Sequence, residues 1–81
     1  MNIQIKLFAA ARQAVDSDVV VVELPPDANI GTLRAAVAEQ QPQLKEITRH
    51  SLFAVGTDYR GDDHALSEGD DVSLIPPVSG G

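Results

Sequence analysis

The 81-residue chain has no cysteine and no tryptophan, only two phenylalanines and one tyrosine, and half as many basic as acidic side chains. Without cysteine there is no disulfide, thiolate metal site, iron–sulfur cluster or cysteine nucleophile, so the chain must hold together by its apolar core alone. Six Lys and Arg against twelve Asp and Glu leave a net charge of −6. That balance argues against binding a nucleic-acid phosphate backbone and favours a basic protein partner. Long apolar runs are missing as well. Leu7 to Ala11 and Val19 to Val22 fall far short of the roughly 20 residues that span a bilayer. Arg12 interrupts the one alanine-rich stretch that imitates a signal core. The expectation is a soluble cytoplasmic protein that engages neither membrane nor nucleic acid.

Recognisable catalytic motifs are equally scarce. The sequence has no G-x-x-x-x-G-K-[ST] phosphate loop, no G-x-G-x-x-G turn and no G-x-S-x-G elbow. Ser51, Ser67, Ser73 and Ser79 have no evident base partner, and a serine hydroxyl without one is a weak nucleophile. His50 and His64 stand 14 residues apart with no second histidine or cysteine at ligand spacing. Asp62-Asp63-His64 reads as a solvated loop. The domain itself is expected to be catalytically inert and to bind no cofactor of its own.

What is present is a clear succession of patterns. Ile3, Ile5 and Leu7 alternate with Asn2, Gln4 and Lys6, which predicts a half-buried strand over residues 2–8. Ala9 to Val15 is suited to a short helical turn. The β-branched run Val19 to Leu24 predicts a second strand, stopped by Pro25-Pro26. Asn29 stands at an N-cap position before Ile30, Leu33, Ala36 and Val37, whose spacing predicts the main helix through Gln41; Pro42 forbids its continuation. Arg34 and Glu39 fall off the apolar stripe and are expected in water. Residues 43–50 read as irregular or briefly helical. Ser51 to Val55 predicts a third strand followed by a Gly56-Thr57-Asp58 turn, and Tyr59 to His64 a loop with at most a short edge strand. The turn Leu66 to Asp70 leads into a last strand, Val72 to Ile75, which Pro76-Pro77 ends. The expected fold class is α+β: a mixed sheet of four to five strands packed by one main helix over residues 1–75. Ubiquitin and its relatives share this element order. Residues 76–81 are expected to form a flexible tail.

That tail is where the chemistry is expected. Gly80-Gly81 closes the sequence and, read as a free C-terminus, offers a carboxylate on a stem without side chains, able to enter a channel too narrow for any residue with a Cβ. Pro76 and Pro77 stiffen the root, and Val78 and Ser79 are uncharged. The six residues extend to roughly 20 Å. A carboxylate is a poor electrophile that must be activated, for instance as an acyl-adenylate, and nothing in this chain is suited to bind ATP. The activating enzyme is therefore expected to be a separate protein.

Together these segments amount to a resemblance. The ending Val72-Ser73-Leu74-Ile75-Pro76-Pro77-Val78-Ser79-Gly80-Gly81, preceded by Leu66-Ser67-Glu68-Gly69-Asp70-Asp71, resembles that of the small subunit of molybdopterin synthase. Leu7-Phe8-Ala9-Ala10-Ala11-Arg12 resembles the same family's first strand and turn. Gly56 and Gln13 depart from the asparagine and the acidic residue common there. A glycine pair alone would also suit a thiamine-type sulfur carrier or a ubiquitin-like protein modifier, and the element order a non-catalytic β-grasp binding module; the double proline favours the molybdenum cofactor branch. The resemblance implies a ubiquitin-like β-grasp fold. It also implies that an E1-like adenylyltransferase uses ATP to activate Gly81, and that a sulfur donor converts it to a thiocarboxylate. The tail then enters the synthase large subunit and gives its sulfur to cyclic pyranopterin monophosphate, in a heterotetramer of small and large subunits. Gly81 would carry the sulfur, Gly80 would form the slender neck, and Pro76, Pro77, Val78 and Ser79 would present it. Phe8, Arg12 and Phe53 are candidate partner-binding residues, with core filling as the competing reading for the two aromatics and a solvated charge for the arginine.

Overall fold

The computed structural model describes residues 1–77. Strand β1 (Asn2–Leu7) buries Ile3, Ile5 and Leu7 and exposes the residues between them, as period-two alternation requires. It leads into helix α1 (Ala9–Val15), and strand β2 (Val19–Glu23) returns antiparallel to β1. Phe8, assigned above to the first strand, is instead the N-cap of α1 in extended conformation. Ala9 follows at φ 50, a left-handed conformation that costs an alanine about 1 kcal/mol and turns the chain sharply out of the sheet.

Helix α2 (Ile30–Gln40) starts where its cap dictates. Asn29 Oδ1 accepts from the Thr32 amide at 2.8 Å, and Thr32 Oγ1 accepts from the Asn29 amide at 3.3 Å, a reciprocal capping box. Its next free donors are met from outside the helix. The Ile30 and Gly31 amides donate to the carbonyls of His64 and Asp62, at 3.0 and 2.8 Å. Asp62-Asp63-His64 is therefore the strap that closes the start of α2, a role that its polar sequence does not suggest. Gly31 suits this approach, because a Cβ there would sit 3.3 Å from the Asp62 carbonyl oxygen and the strap would have to shift by a few tenths of an ångström.

Past α2, a 3-10 turn (Pro42–Leu44) and helix α3 (Lys45–His50) occupy the stretch expected to be irregular or briefly helical. Strands β3 (Leu52–Val55) and β4 (Asp58–Arg60) form a hairpin, and β5 (Val72–Ile75) completes the sheet. Between β3 and β4, Gly56 has φ +63, in the left-handed region open to glycine and, next best, to asparagine. The departure from the family's usual residue thus keeps the turn. The strand order is β2-β1-β5-β3-β4, with β5 parallel to β1 and antiparallel to β3.

One face of this mixed five-stranded sheet carries the core. Ile3, Ile5, Leu7, Val22, Phe53, Val72 and Leu74 from the strands are buried together with Ile30, Leu33 and Val37 of α2 and Leu44 of the 3-10 turn. The expected α+β architecture is the one observed. Phe53 is fully buried, so it fills the core and presents no surface to a partner, which corrects its candidacy for a docking surface. Arg34 also departs from expectation. Its side chain is only 24% exposed, because α3 and the 62–66 segment close over that flank of the helix.

Candidate functional site

Strand β5 lies at the centre of the sheet, held by β1 on one side and β3 on the other. A chain leaving the end of such a strand has a fixed origin and direction, since both neighbours hydrogen-bond the last residues before it. Leu74 pairs with Leu7 and with Phe53, and Ile75 pairs with Leu52. Pro76 is half-buried and Pro77 exposed. Val78, Ser79, Gly80 and Gly81 lie outside the described residues.

Around this exit the outer face of the sheet is unusually apolar. Leu52 is 56% exposed, Tyr59 63% and Phe8 46%. Leu52 stands directly opposite Ile75, and Tyr59 is paired with Ala54 two residues further along β3, within reach of a diagonal contact. Phe8 follows Leu7, whose partner Leu74 precedes Ile75. Alternation therefore brings Phe8 to the same end and the same face as Ile75. His50, Leu52, Tyr59, Ile75, Pro76 and Pro77 line a shallow groove of about 450 Å³. A second groove, about 240 Å³, runs along the other flank of the two prolines, between Ala10 of α1 and Glu46, Ile47 and His50 of α3. His50 borders both. Apolar side chains contiguous at this level of exposure mark a binding surface more often than a free one.

Charged groups rim the patch without entering it. Lys6 Nζ lies 3.2 Å from Asp71, and Arg60 lies 3.5 Å from Asp58. Arg12, a partner candidate from the sequence, sits further off with its Nε 2.7 Å from Asp18. It lines a polar hollow of about 560 Å³ with Ala9, Gln13, Asp16 and Ser17. Arg12 and Phe8 both border the neighbouring depression above β1. Of the sequence candidates, then, Pro76 and Pro77 line the grooves at the exit, Phe8 and Arg12 border the depression above β1, and Phe53 is beneath in the core.

Leu52, Tyr59, Ile75 and His50 were not singled out from the sequence. A signal existed for the first: Leu52, Phe53, Ala54 and Val55 are apolar on both faces of a strand, although only one face meets the helices. Tyr59 and His50 gave no such sign. Tyr59 lies in a polar loop sequence, and it becomes part of the patch only through the hairpin register.

Among the described residues no group of three His, Cys, Asp or Glu is placed to hold a metal ion. No helix among them is long and apolar enough to cross a membrane. What the described residues do offer is an apolar surface beside the exit of β5.

A family model described as the ThiS family matches residues 5–81. The molybdopterin synthase sulfur carrier subunit of Chlamydomonas reinhardtii is 32% identical, with all of both chains covered. That of Dictyostelium discoideum is 32% identical over 96% of this chain and 94% of its own. Among solved structures, SAMP1 from Haloferax volcanii superposes with a TM-score of 0.83 at 27% identity, covering both chains completely. A second crystal structure, of the small archaeal modifier protein 1 of H. volcanii, gives 0.81 at 25% identity, over 95% of this chain and 98% of its own.

Proposed function

The chain belongs to the ThiS family, and from that membership we propose that it is the sulfur-carrier small subunit of a molybdopterin synthase. The observation that carries the reading is the exit of the central strand β5 through Pro76-Pro77 beside the apolar patch of Leu52, Tyr59 and Ile75. A carrier that hands a group to another protein needs a chain end with a defined origin and a docking surface next to it. Its relatives named as sulfur carrier subunits align over essentially their whole length, and the word subunit makes each of those proteins one part of an assembly.

In this proposal the Gly81 carboxylate attacks the α-phosphorus of ATP on an E1-like adenylyltransferase, forming an acyl-adenylate and releasing pyrophosphate. A sulfur donor displaces AMP and leaves a thiocarboxylate. The large subunit then binds the apolar patch, receives the tail, and the sulfur is delivered to cyclic pyranopterin monophosphate. The docking patch supplies affinity and register; Gly80 and Gly81 supply passage, since neither has a Cβ to collide with a channel wall. The chain is thus a non-catalytic partner in a transferase, working in the cytoplasm with ATP bound only by the activating enzyme.

Intact mass tests the first half: co-expression with the activating enzyme and sulfur donor should replace one oxygen by sulfur at Gly81. Reconstitution of the thiocarboxylated protein with the large subunit tests the second, with conversion of the pterin precursor as readout. Transfer that survives both a residue appended after Gly81 and a bulky residue in place of Gly80 would remove the tail from the reaction. A second reading, a protein modifier joined to lysines through the same glycine, draws on the likeness to the small archaeal modifier protein. Isopeptide-linked adducts recovered under denaturing conditions would favour it.

A further inference from the structure

Strand β2 is one of the two edges of the sheet, and its run Val19–Val22 is apolar throughout. Such an edge ordinarily invites another strand. The main chain of β2 faces β1 at alternate residues: Leu24 donates to Met1 O at 2.7 Å, and Asp18 O accepts from Leu7 at 2.8 Å. In the antiparallel register Asn2↔Glu23 to Lys6↔Val19, this alternation turns the N–H and C=O of Val19, Val21 and Glu23 away from the sheet.

Two side chains occupy the outward positions. Gln40, the last residue of α2, accepts from the Glu23 amide through Oε1 at 2.9 Å and donates through Nε2 to the Glu23 carbonyl at 2.9 Å. Its carboxamide makes both of the bonds that the N–H and C=O of one opposing residue in an added antiparallel strand would make. At the other end the Ser17 hydroxyl donates to Val19 O at 2.8 Å and accepts from the Val19 amide at 3.3 Å. Only Val21, 54% exposed, keeps its outward N–H and C=O without a partner among these bonds.

We propose that Ser17 and Gln40 are strand mimics that hold the β2 edge closed to a second copy of this chain. The occupant follows from symmetry. An antiparallel β2–β2 contact with its two-fold axis at Val21 would pair Val19 with Glu23, Val21 with Val21, and Glu23 with Val19, all through the outward groups. The two side chains take the outer pairs and leave the central one, too little to offset the cost of association. The net charge of −6 on each copy opposes the contact further. Keeping this edge closed directs docking to the opposite half of the sheet, where the chain exits.

Sedimentation equilibrium of the full chain over a wide concentration range compares wild type with S17A/Q40A. The double variant should dimerise roughly tenfold or more tightly than wild type, and more so as salt screens the charge. Adding Val21→Pro, which removes the outward N–H at an edge position that tolerates proline, should restore the monomer. Hydrogen exchange on the wild type supplies an arm independent of any variant: the Val19 and Glu23 amides should be protected and the Val21 amide should exchange fast. A folded double variant with wild-type association, a dimer indifferent to Val21→Pro, or Glu23 exchanging as fast as Val21 would each overturn the proposal.

Discussion

The guanidinium carbon of Arg34 lies 5.1 Å from the centre of the Phe53 ring, joining the flank of α2 to the core face of β3. The same group donates to the carbonyls of Thr48 and Ser51 at 2.7 and 2.8 Å and to Asp62 at 2.9 Å. One side chain thus fastens the end of α3, the start of β3 and the strap over the start of α2. The apolar patch rests on this fastening, because Leu52 follows Ser51 directly and His50 precedes it.

Arg34→Met should destabilise the domain by about 1–3 kcal/mol, because it removes the guanidinium donor from the Ser51 carbonyl and leaves the Thr48 carbonyl with only the Ser51 amide at 3.3 Å. Arg34→Lys should recover less than half of that, since a single ammonium cannot reach both carbonyls, the carboxylate and the ring face together. Urea midpoints at constant slope measure both effects. A double-mutant cycle with Phe53→Leu should return a coupling of about 0.5–1 kcal/mol.

Asn29→Ala removes the oxygen that accepts from the Thr32 amide. The loss should be about 1 kcal/mol, seen in calorimetry as a fall in Tm of about 4–8 °C for a domain of this size.

Thr48 is fully buried, and its hydroxyl has no hydrogen-bond partner. Thr48→Val keeps the shape and removes an unsatisfied polar atom. It should raise stability by about 1 kcal/mol, an increase that a denaturant titration would register as a higher midpoint.

Leu52→Ala and Tyr59→Ala should each weaken binding to the large subunit by about tenfold or more. Folding stability should stay within about 0.5 kcal/mol, since both side chains are largely in solvent. Glu39→Ala, an exposed change on the far side of α2, should leave affinity unchanged. Isothermal titration with the purified large subunit separates these cases.

The element order was legible from local patterns alone. Alternation marked β1 and its buried residues, β-branching marked β2, and Asn29 with Pro42 bracketed α2 within a residue of the observed ends. Those signals are strong because each is written in consecutive residues and rests on backbone geometry that neighbours in space scarcely alter. The glycine pair and the prolines before it were legible in the same way, as main-chain properties.

Other features depended on residues far apart in sequence. Phe53 reads the same whether it fills a core or a docking surface, and only the β3–β5 register placed it inside and Leu52 outside. Arg34 reads as a solvated helix residue until α3 and the 62–66 segment fold over it. Gln40 and Glu23 gave no sign of meeting, since their bond spans 17 residues. The sequence by itself determined where β1, β2, α2, β3 and β5 form, because each is written in consecutive residues. Tertiary structure decided which faces meet, which edge is closed and where the exit lies, because those depend on pairing register and side-chain reach across the fold.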